Sequence, residues 1–241
     1  MSSDRQSQGM MLSSGIVNFL AEGLGIMGLA LDNQAAALER LALYFLELKK
    51  WNSKVNLVAR ALSDEQILEN HFLDSLTLLP LLPSESQAQE SVLDIGTGAG
   101  FPGLVLKTVC PALPVVLVEP RKNRYYFLKH ILRSLALQEV ELLYERLGEK
   151  SRTSQLEGRR FRFITSRAFT DIPELVALAA SYLAREGRIV CMKGPGAAQE
   201  MAEFARRERD NFYVAETKRL QLPFSKAERL LVIIKRKEKK E

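Results

Sequence analysis

Three glycines at alternate positions, followed by a proline, mark the stretch of this sequence best suited to bind a ligand. They lie within Asp94-Ile-Gly-Thr-Gly-Ala-Gly-Phe-Pro-Gly103. Glycine permits a tight turn whose backbone can approach a ligand closely. The apolar residues before the turn indicate the end of a buried strand, and Pro102 suits the first turn of a helix. We therefore predict a strand, a glycine turn and a helix that together bind a nucleotide.

Two acidic residues indicate which nucleotide this turn binds. The stretch from Gly98 to Gly103 also satisfies the dinucleotide pattern GxGxxG, which is a weak signal alone. Asp94 lies at the strand end, where a carboxylate repels a pyrophosphate but suits the ammonium group of S-adenosylmethionine. Glu119 ends the next predicted strand, about 23 residues beyond the first glycine, and is placed to accept both ribose hydroxyls. We predict a methyl-donor site that includes Asp94, Gly96, Gly98, Gly100 and Glu119. The alternative is a glycine turn required only for helix–strand packing.

Alternating strand and helix patterns position these residues. Strands are predicted near 91–95, 114–119, 139–144, 161–167 and 187–192, with helices between them at 102–109, 122–136, 171–184 and 195–209. This alternation predicts a doubly wound, mostly parallel sheet that binds ligands at the carboxyl ends of its strands. Two final strands, Tyr213–Gln221 and Arg229–Lys235, have no helix between them, which predicts an antiparallel hairpin at the sheet edge. That ending favours a class I methyltransferase over a dehydrogenase.

The residues before the sheet predict helices. The segment from Met1 to Ser14 is polar, and we predict that it is disordered. A helix with one apolar face is predicted from Gln34 to about Lys50, and a second from Asp64 to Leu79. We divide the chain into a tail (residues 1–14), a helical extension (15–90), a methyltransferase domain (91–236) and a charged tail (237–241).

Composition limits the other classes of function. The chain has 241 residues, of which 46% are hydrophobic, and it lacks the run of about 18 apolar residues that a membrane span needs. The cysteines Cys110 and Cys191 lack metal-site spacing and suggest a reduced compartment, so we expect a cytoplasmic protein. The net charge of +5 permits a polyanionic partner without requiring one.

Basic residues concentrate where the predicted sheet would bind its ligand. Arg121, Lys122 and Arg124 stand at the start of the helix after the second strand, where the helix dipole disfavours cations. Nucleic-acid phosphates would compensate them, although ordinary surface cations are the alternative. Arg167 ends the fourth strand and Lys193 follows the fifth, so both should open onto the same crevice.

Polar residues of the helical extension are weaker candidates. Trp51, Asn52 and Asn56 follow the first amphipathic helix and could contact a nucleic acid; the alternative is a packing tryptophan with amides that cap the turn. His71 and Asp74 lie three residues apart and could simply hydrogen-bond on one helix face. We predict no metal site, because no other histidine or cysteine is placed to complete one.

Together these motifs resemble the bacterial RsmG family, also called glucose-inhibited division protein B. The resemblance runs from about Gln34 to the last strand. It rests on Lys50-Trp-Asn with Asn56-Leu57, His71-Phe-Leu-Asp-Ser75, Asp94 to Gly103, Lys122 and Arg124 with Phe127-Leu128, Ser166-Arg-Ala-Phe169, and Lys193-Gly194. It implies a Rossmann-like, seven-stranded class I enzyme that uses S-adenosylmethionine to form N7-methylguanine in the 530 loop of 16S ribosomal RNA. The implied partner is the small ribosomal subunit or its precursor, with no membrane, no metal and no required oligomer.

The resemblance also implies individual donor contacts, at Gly96, Phe101, the pair Leu147-Gly148, and Arg167. Gly148 stands where family members usually have Glu, so an adenine contact there would use the backbone or Glu149. Val55 replaces a frequent Tyr, which weakens the case for base stacking at that position. Glu119-Pro120 replaces the commoner Asp-Ser and keeps the acid.

The implied acceptor determines the expected chemistry. Guanine N7 carries a free lone pair at neutral pH, so we predict no general base and expect alignment for in-line transfer to supply most of the rate. An arginine against N7 would oppose the cationic product, so we assign Arg167 to the donor carboxylate or an RNA phosphate. The predicted RNA contacts are Arg121, Lys122, Arg124, Lys193, Trp51, Asn52, Asn56 and His71.

Three other functions stay open on the sequence alone. The same fold could methylate a small molecule or a protein. A nicotinamide-dependent oxidoreductase is disfavoured by Asp94 and by the terminal hairpin. A non-catalytic RNA-binding module would not need an intact donor site.

Overall fold

In the computed structural model of the chain, residues 2–82, 92–148, 154–167, 170–206 and 211–237 are described. Among these residues a seven-stranded sheet has the order β3-β2-β1-β4-β5-β7-β6. Its strands are β1 (Val92–Ile95), β2 (Val115–Val118), β3 (Val140–Leu143), β4 (Phe161–Arg167), β5 (Leu183–Lys193), β6 (Phe212–Gln221) and β7 (Glu228–Arg236). Only β7 is antiparallel to its neighbours, so the predicted doubly wound, class I methyltransferase sheet with a terminal hairpin is confirmed.

Helices cover both faces of the sheet. They are α1 (Ser2–Met27), α2 (Gln34–Asn52), α3 (Asp64–Ile67), α4 (Asp74–Leu76), α5 (Gly103–Val109), α6 (Lys122–Ser134), α7 (Ile172–Ala179) and α8 (Ala197–Arg206). A π-helical segment, Leu68–Leu73, joins α3 to α4, and a 3-10 turn follows at Leu79–Leu81. Every residue of β1 and β2 is buried, as expected for strands covered on both faces. The sheet reverses its strand order between β1 and β4, which is where such folds bind their ligands.

The helical extension shares its core with the sheet. Leu20 of α1, Leu41 of α2 and Phe72 of the π-helical segment belong to the same buried cluster as Leu104 of α5 and Val115 of β2. A second cluster on the opposite sheet face includes residues of α7 and α8. The extension is therefore packed onto the face of the sheet that carries α5 and α6.

Two helices at the start of the chain differ from their predictions. α1 begins at Ser2, whereas disorder was predicted as far as Ser14; Ile16, Leu20 and Leu24 are buried at helical spacing and anchor this helix. The helix predicted to run unbroken from Asp64 to Leu79 is interrupted by the π-helical segment. π-Helical turns of this kind are frequent at functional sites.

A third difference lies at β5, and the described residues also show the positions of the two cysteines and whether a helix could span a membrane. The helix predicted to reach residue 184 ends at Ala179, because Leu183 is buried and pairs with Phe161 of β4, which extends β5. Cys191 lies buried in β5, while Cys110 is half-buried. No described helix is long and apolar enough to cross a membrane. The predicted tail from residue 238 onward lies outside the described residues.

Candidate functional site

A cavity of about 380 Å³ opens at the carboxyl ends of β1, β2 and β4, on the reversal point of the sheet. The glycine turn forms its floor, α6 and the segment after β3 contribute arginines, and the helical extension forms the opposite wall. The lining residues are Leu57, Val58, His71, Gly96, Thr97, Gly98, Ala99, Phe101, Glu119, Pro120, Arg121, Arg124, Arg146 and Arg167. The structure thus brings together residues from six separate parts of the sequence at one site.

Asp94 holds the glycine turn in place through hydrogen bonds. Its Oδ2 accepts hydrogen bonds from the Thr97 hydroxyl (2.6 Å) and the Gly103 backbone N–H (2.8 Å). Its Oδ1 is buried without a hydrogen-bond partner. Burial raises the pKa of Asp94 to about 6, against the opposing effect of these hydrogen bonds and of Arg167. One carboxylate oxygen is therefore committed to the turn, and the other is buried behind the turn without a partner; Asp94 itself does not line the cavity.

Glu119 also holds this turn through hydrogen bonds to backbone N–H groups. Its two oxygens accept the backbone N–H groups of Gly98 (2.8 Å) and Arg121 (2.7 Å). Burial raises the pKa of Glu119, and these backbone hydrogen bonds oppose that rise. Each carboxylate oxygen can accept a further hydrogen bond, so the side chain can serve the turn and a hydroxyl-bearing ligand together.

An aromatic cluster supports the far end of the turn. The Tyr44 hydroxyl of α2 donates a hydrogen bond to the Ala99 carbonyl. The Phe101 ring lies parallel to that of Tyr44, with 6.0 Å between centroids, and stacks on His71 at 5.0 Å. Gly100 has a φ of +93° and lies directly beneath the Tyr44 hydroxyl, so neither its conformation nor its space admits a side chain.

Arg167 joins the sheet to the π-helical segment at the cavity wall. Its guanidinium donates to the Asn70 carbonyl (2.6 Å), to Asp74 Oδ2 (3.3 Å) and to His71 Nδ1 (2.5 Å). The same group lies over the Phe101 ring, 5.3 Å from its centroid. Burial lowers the pKa of Arg167 while Asp74 opposes that change, and an arginine stays charged at any physiological pH.

Asp74 also binds a second arginine, which ties the terminal hairpin to the site. Arg229 of β7 places its Nε 3.3 Å from Asp74 Oδ1 and donates from Nη2 to the Asn70 side chain (3.1 Å). Glu69 accepts from the backbone N–H groups of Phe224 (2.7 Å) and Ser225 (2.8 Å) in the β6–β7 turn. The π-helical segment thus holds Arg167 and the hairpin in one network.

His71 is a neutral group at this site. Burial, followed by the nearby charges of Arg167 and Arg229, lowers its pKa to about 3. Because Nδ1 accepts from Arg167, the proton belongs on Nε2, which is buried without a partner. His71 therefore lines the cavity as a neutral aromatic ring whose Nε2–H is buried, and not as a cation for phosphate.

Besides Arg167 at the end of β4, three arginines of the site follow the neighbouring strands β2 and β3. Arg121 and Arg124 precede and begin α6, and both line the cavity as predicted; Lys122 is exposed beside them but does not line it. Arg146 also lines the cavity and was missed by the sequence analysis. Its position just after β3, at the same edge as the other site residues, was the signal that could have identified it.

Several predicted residues lie elsewhere. Lys193 does not line the cavity, since it bonds to the Thr170 carbonyl (2.6 Å) and pairs with Glu200 (2.8 Å). Trp51 packs against Phe127 and His130, with centroid distances of 5.7 and 5.2 Å. Asn52 is buried and accepts from the backbone N–H groups of Leu57 (2.8 Å) and Val58 (3.0 Å). These placements agree with the packing and capping alternative for Trp51 and Asn52.

The remaining predicted residues have mixed positions. Asn56 is exposed, next to Leu57 of the cavity wall. The Leu147 side chain is buried and Gly148 has a φ of +81°, and neither residue lines the cavity. Glu149 lies outside the described residues. Contacts of these residues with donor or RNA stay predictions.

Buried polar atoms without partners lie in and directly behind the wall of the cavity. Three buried polar atoms around it have no hydrogen-bond partner: Asp94 Oδ1, His71 Nε2 and Arg124 Nε. Buried polar atoms are usually satisfied, so these orphans suggest that a polar ligand completes the network. Within the described parts of the chain, no group of three His, Cys, Asp or Glu side chains could hold a metal ion.

Comparisons with known proteins give one consistent family. The family model GidB, rRNA small subunit methyltransferase G, matches residues 37–232. A ribosomal RNA small subunit methyltransferase G from Desulfotalea psychrophila is 42% identical over 225 residues, which are 93% of this chain and 100% of that protein. Its counterpart from Syntrophotalea carbinolica is 37% identical over 221 residues, covering 91% of this chain and 98% of the relative.

Solved structures support the fold. A mutant of MtNAS in complex with S-adenosylmethionine is similar with a TM-score of 0.52 at 18% identity, covering 86% of this chain and 79% of that one. A putative O-methyltransferase from Klebsiella pneumoniae has a TM-score of 0.52 at 16% identity, covering 81% and 90%. At such identities the similarity concerns the fold alone.

Proposed function

The chain belongs to the family of rRNA small subunit methyltransferase G, and we propose that it transfers a methyl group from S-adenosylmethionine to N7 of a guanine in the 530 loop of 16S ribosomal RNA. The observation that carries this proposal is the cavity at the sheet reversal, where Glu119, the glycine turn and Arg167 converge beside three further arginines. The substrate is the small ribosomal subunit or its precursor, and the expected location is the cytoplasm.

Each polar part of the donor has a matching group in the cavity or directly behind the glycine turn. Glu119 can accept the ribose hydroxyls while it keeps its hydrogen bonds to the turn. Arg167 suits the donor carboxylate, since a guanidinium can bind a carboxylate through two parallel hydrogen bonds. We assign the ammonium group to Asp94, which lies behind the glycine turn and does not line the cavity, because its buried Oδ1 has no partner. When bound, S-adenosylmethionine supplies a methyl group on a positively charged sulfur.

The protein contributes position and charge more than proton transfer. Guanine N7 has a free lone pair, so the attacking atom has no proton to lose. The titratable groups of the cavity are already engaged, because His71 Nδ1 accepts from Arg167 and both Glu119 oxygens accept backbone N–H groups. Holding the acceptor in line with the methyl carbon is then the main source of rate. Arg167 stays with the donor carboxylate, since a cation against N7 would oppose the cationic product.

The arginines on the α6 side supply the RNA contact in this proposal. Arg121, Arg124 and Arg146 line the mouth of the cavity, and Lys122 is exposed next to them. Cations at a helix start are disfavoured by the helix dipole, and phosphate groups would relieve that cost. RNA binding through such contacts weakens as the salt concentration rises, because the release of counterions from the RNA then gains less free energy.

The direct test is transfer of labelled methyl from S-adenosylmethionine to small ribosomal subunits that lack the modification. We expect label in 7-methylguanosine, at a position within the 530 loop. The double variant Lys122→Ala/Arg124→Ala should lower RNA affinity and the salt dependence of binding, by about one unit of slope per lost phosphate contact. Donor binding without transfer to subunits or precursor RNA would refute the assignment of rRNA as the substrate. Label in a nucleoside other than 7-methylguanosine would refute only the assignment of guanine N7 as the methylated atom.

Donor affinity should depend on pH through Asp94. Its pKa in the free protein is about 6, raised mainly by burial. A bound ammonium near Oδ1 favours the ionised form and lowers that pKa, so binding releases a proton at acidic pH. Donor affinity should therefore rise with pH up to about 6 and level off above that. The total rise should be about tenfold for each unit by which donor binding lowers the pKa of Asp94. Calorimetric titrations between pH 5 and 7.5 measure this change.

Controls separate Asp94 from its neighbours. Glu119 also has a raised pKa, while Thr97, Gly103 and Arg167 favour the charged form of Asp94. Asp94→Asn should weaken binding and flatten the pH profile, whereas Glu119→Gln should weaken binding and keep the profile. S-adenosylhomocysteine keeps the ammonium and lacks the sulfonium charge, so it should show the same profile. A steep profile in Asp94→Asn would rule out this origin.

A further inference from the structure

Three tyrosines, two of them exposed and one half-buried between them, form an aromatic surface beside the cavity. Tyr125 and Tyr126 belong to α6, and Tyr144 follows β3. The Tyr125 ring lies 5.8 Å from Tyr126 and 5.2 Å from Tyr144, centroid to centroid. Tyr126 and Tyr144 are each 49% exposed, which is high for rings of this size. We call these three residues the tyrosine surface.

The core does not account for these rings. α6 buries Phe127, Leu128 and Ile131 in the core, and His130 on the same helix contacts Glu47 and Trp51 of α2. Tyr126 and Tyr144 lie outside both buried clusters. An exposed group of aromatic rings is unfavourable in water unless a partner covers it, so such patches commonly mark interaction sites.

The tyrosine surface adjoins the mouth of the cavity on two sides. Arg121 lies four residues before Tyr125, one helical turn away, and lines the cavity. Arg146 lies two residues after Tyr144 and also lines it. A strand of nucleic acid that places a base in the cavity would pass this surface on its way out.

The charge around the tyrosine surface is positive. α6 contains no acidic residue from Lys122 to Ser134, and the Lys129 ammonium lies 5.8 Å above the Tyr125 ring. Of the acids after α6, Glu141 pairs with Arg159, Glu145 accepts from the uncharged Ser154 and Gln155, and Glu139 is exposed before β3. Among the described residues, no ion pair occupies Arg121, Lys122 or Arg146. The surface thus combines aromatic faces with exposed cations that no described ion pair occupies, although Glu119 lies close enough to Arg121 and Arg124 to be stabilised by their charge. This combination matches a polyanion that carries flat bases.

We propose that the tyrosine surface stacks unpaired bases of the RNA substrate next to the target nucleotide, while the adjoining arginines and lysine bind its phosphates. Stacking on aromatic side chains is how proteins bind single-stranded nucleic acid, and it needs bases that have left their helix. The surface therefore selects a single-stranded segment over a duplex. This inference rests on the proposed function, since it requires an RNA substrate.

The test removes the rings and leaves the cations. We expect Tyr126→Leu and Tyr144→Leu each to lower the affinity for a single-stranded 530-loop oligonucleotide by about tenfold. The double variant should lower it further, with the salt slope unchanged because no phosphate contact is lost. Tyr126→Phe and Tyr144→Phe keep the aromatic face and should bind as the wild type. A 2-aminopurine placed beside the target guanine should be quenched on binding by the wild type, and not by the leucine variants.

Tyr213 provides a matched control. It is 43% exposed and lies on β6, at the opposite edge of the sheet from β3, next to the basic residues Arg185 and Lys235. Tyr213→Leu should leave RNA affinity unchanged. An equal loss in Tyr213→Leu would mean that any exposed tyrosine near cations matters, and the proposal would fail.

The remaining outcomes separate this inference from the proposed function. Wild-type methylation of small subunits with unchanged RNA affinity in the leucine variants would overturn the tyrosine surface alone. Weaker donor binding with unchanged RNA binding would assign the rings to the donor site and overturn the proposal. The proposal would also be overturned if the leucine variants bound RNA normally but no longer bound a protein partner. A wild type that binds no single-stranded RNA but methylates small subunits would also overturn the tyrosine surface alone. Only a wild type that neither binds the RNA nor methylates subunits or precursor RNA would overturn both proposals.

Discussion

Replacing Arg167 with alanine should lower kcat/KM for methyl transfer by about 100-fold or more, which is the loss expected when one partner of a buried charge pair is removed. Arg167 lines the cavity with only 17% of its side chain exposed, so its charge acts where water screens it poorly. Most of the loss should appear as weaker donor binding, because the donor carboxylate would face Asp94 and Glu119 without a compensating cation. Measurements of donor Kd and of initial rates at saturating donor separate the two effects.

Arg167→Lys tests whether a positive charge at this position is sufficient for methyl transfer. The lysine keeps a cation at the end of β4, but one ammonium cannot reproduce the fork that reaches the Asn70 carbonyl, His71 and Asp74 together. We expect an intermediate loss of about tenfold, since the substitution is not conservative where a guanidinium binds several partners. Full activity in the lysine variant would show that geometry at this position is unimportant.

Asp74→Asn distinguishes a role in binding from a role in folding. Asp74 is buried between Arg167 and Arg229, and its loss should lower the free energy of unfolding by about 3 kcal/mol because two guanidinium groups lose their common anion. Arg167 would still be held by Asn70 and His71. Below its unfolding transition, Asp74→Asn should therefore bind donor far better than Arg167→Ala. Activity that simply follows stability in both variants would leave Arg167 a structural role only.

A surface pair gives the matched reference for that stability change. Glu141 and Arg159 are 2.7 Å apart with 47% and 34% of their side chains exposed. Glu141→Gln should change the free energy of unfolding by less than about 1 kcal/mol, because exposed ion pairs gain little over hydration. Urea unfolding of the two variants, side by side, compares a buried and an exposed carboxylate in the same protein.

The sequence predicted those features of the fold that depend on local pattern. β2 is a continuous apolar run and β1 is apolar except for Asp94, and their burial on both faces follows from that composition. Arg167 was identified because the carboxyl end of a parallel strand must face the crevice of such a sheet. By contrast, the contacts of Tyr44 with the glycine turn join residues 55 positions apart, and no local pattern reports them.

Polar residues show the limit of the sequence analysis most clearly. Lys193 follows a strand just as Arg167 ends one, and the pattern treats them alike. In the structure Glu200 of α8 neutralises Lys193, while Arg167 reaches the cavity. Asn52 was a candidate for RNA contact, yet its side chain is buried and holds the backbone of the cavity wall. Whether a polar side chain serves the fold or a ligand depends on neighbours that distant parts of the chain supply.

Gly100→Ala should be the most destabilising single-methyl change in the glycine turn. Its Cβ would lie 2.1 Å from the Tyr44 hydroxyl and 2.9 Å from Leu104 Cβ, and its φ of +93° is unfavourable for alanine. Overpacking and backbone strain together should lower the free energy of unfolding by about 3–5 kcal/mol. Relief of the clash would move the turn that carries Phe101, so donor affinity should fall as well. Urea unfolding and donor titration measure the two effects.

Two further variants resolve the sources of that effect. Gly98 also has a positive φ (+64°), but its added Cβ would meet nothing closer than the Arg124 guanidinium at 3.5 Å, so Gly98→Ala should lose only about 1–2 kcal/mol of stability from the backbone. Tyr44→Phe removes the oxygen that Gly100→Ala collides with, and the double variant should recover part of the loss, since residues in contact are not additive. Equal losses in Gly98→Ala and Gly100→Ala, with no rescue by Tyr44→Phe, would contradict the packing of α2 on the glycine turn. Partial rescue would establish that the helical extension itself holds the donor-binding turn in place, because Tyr44 belongs to α2 and not to the sheet.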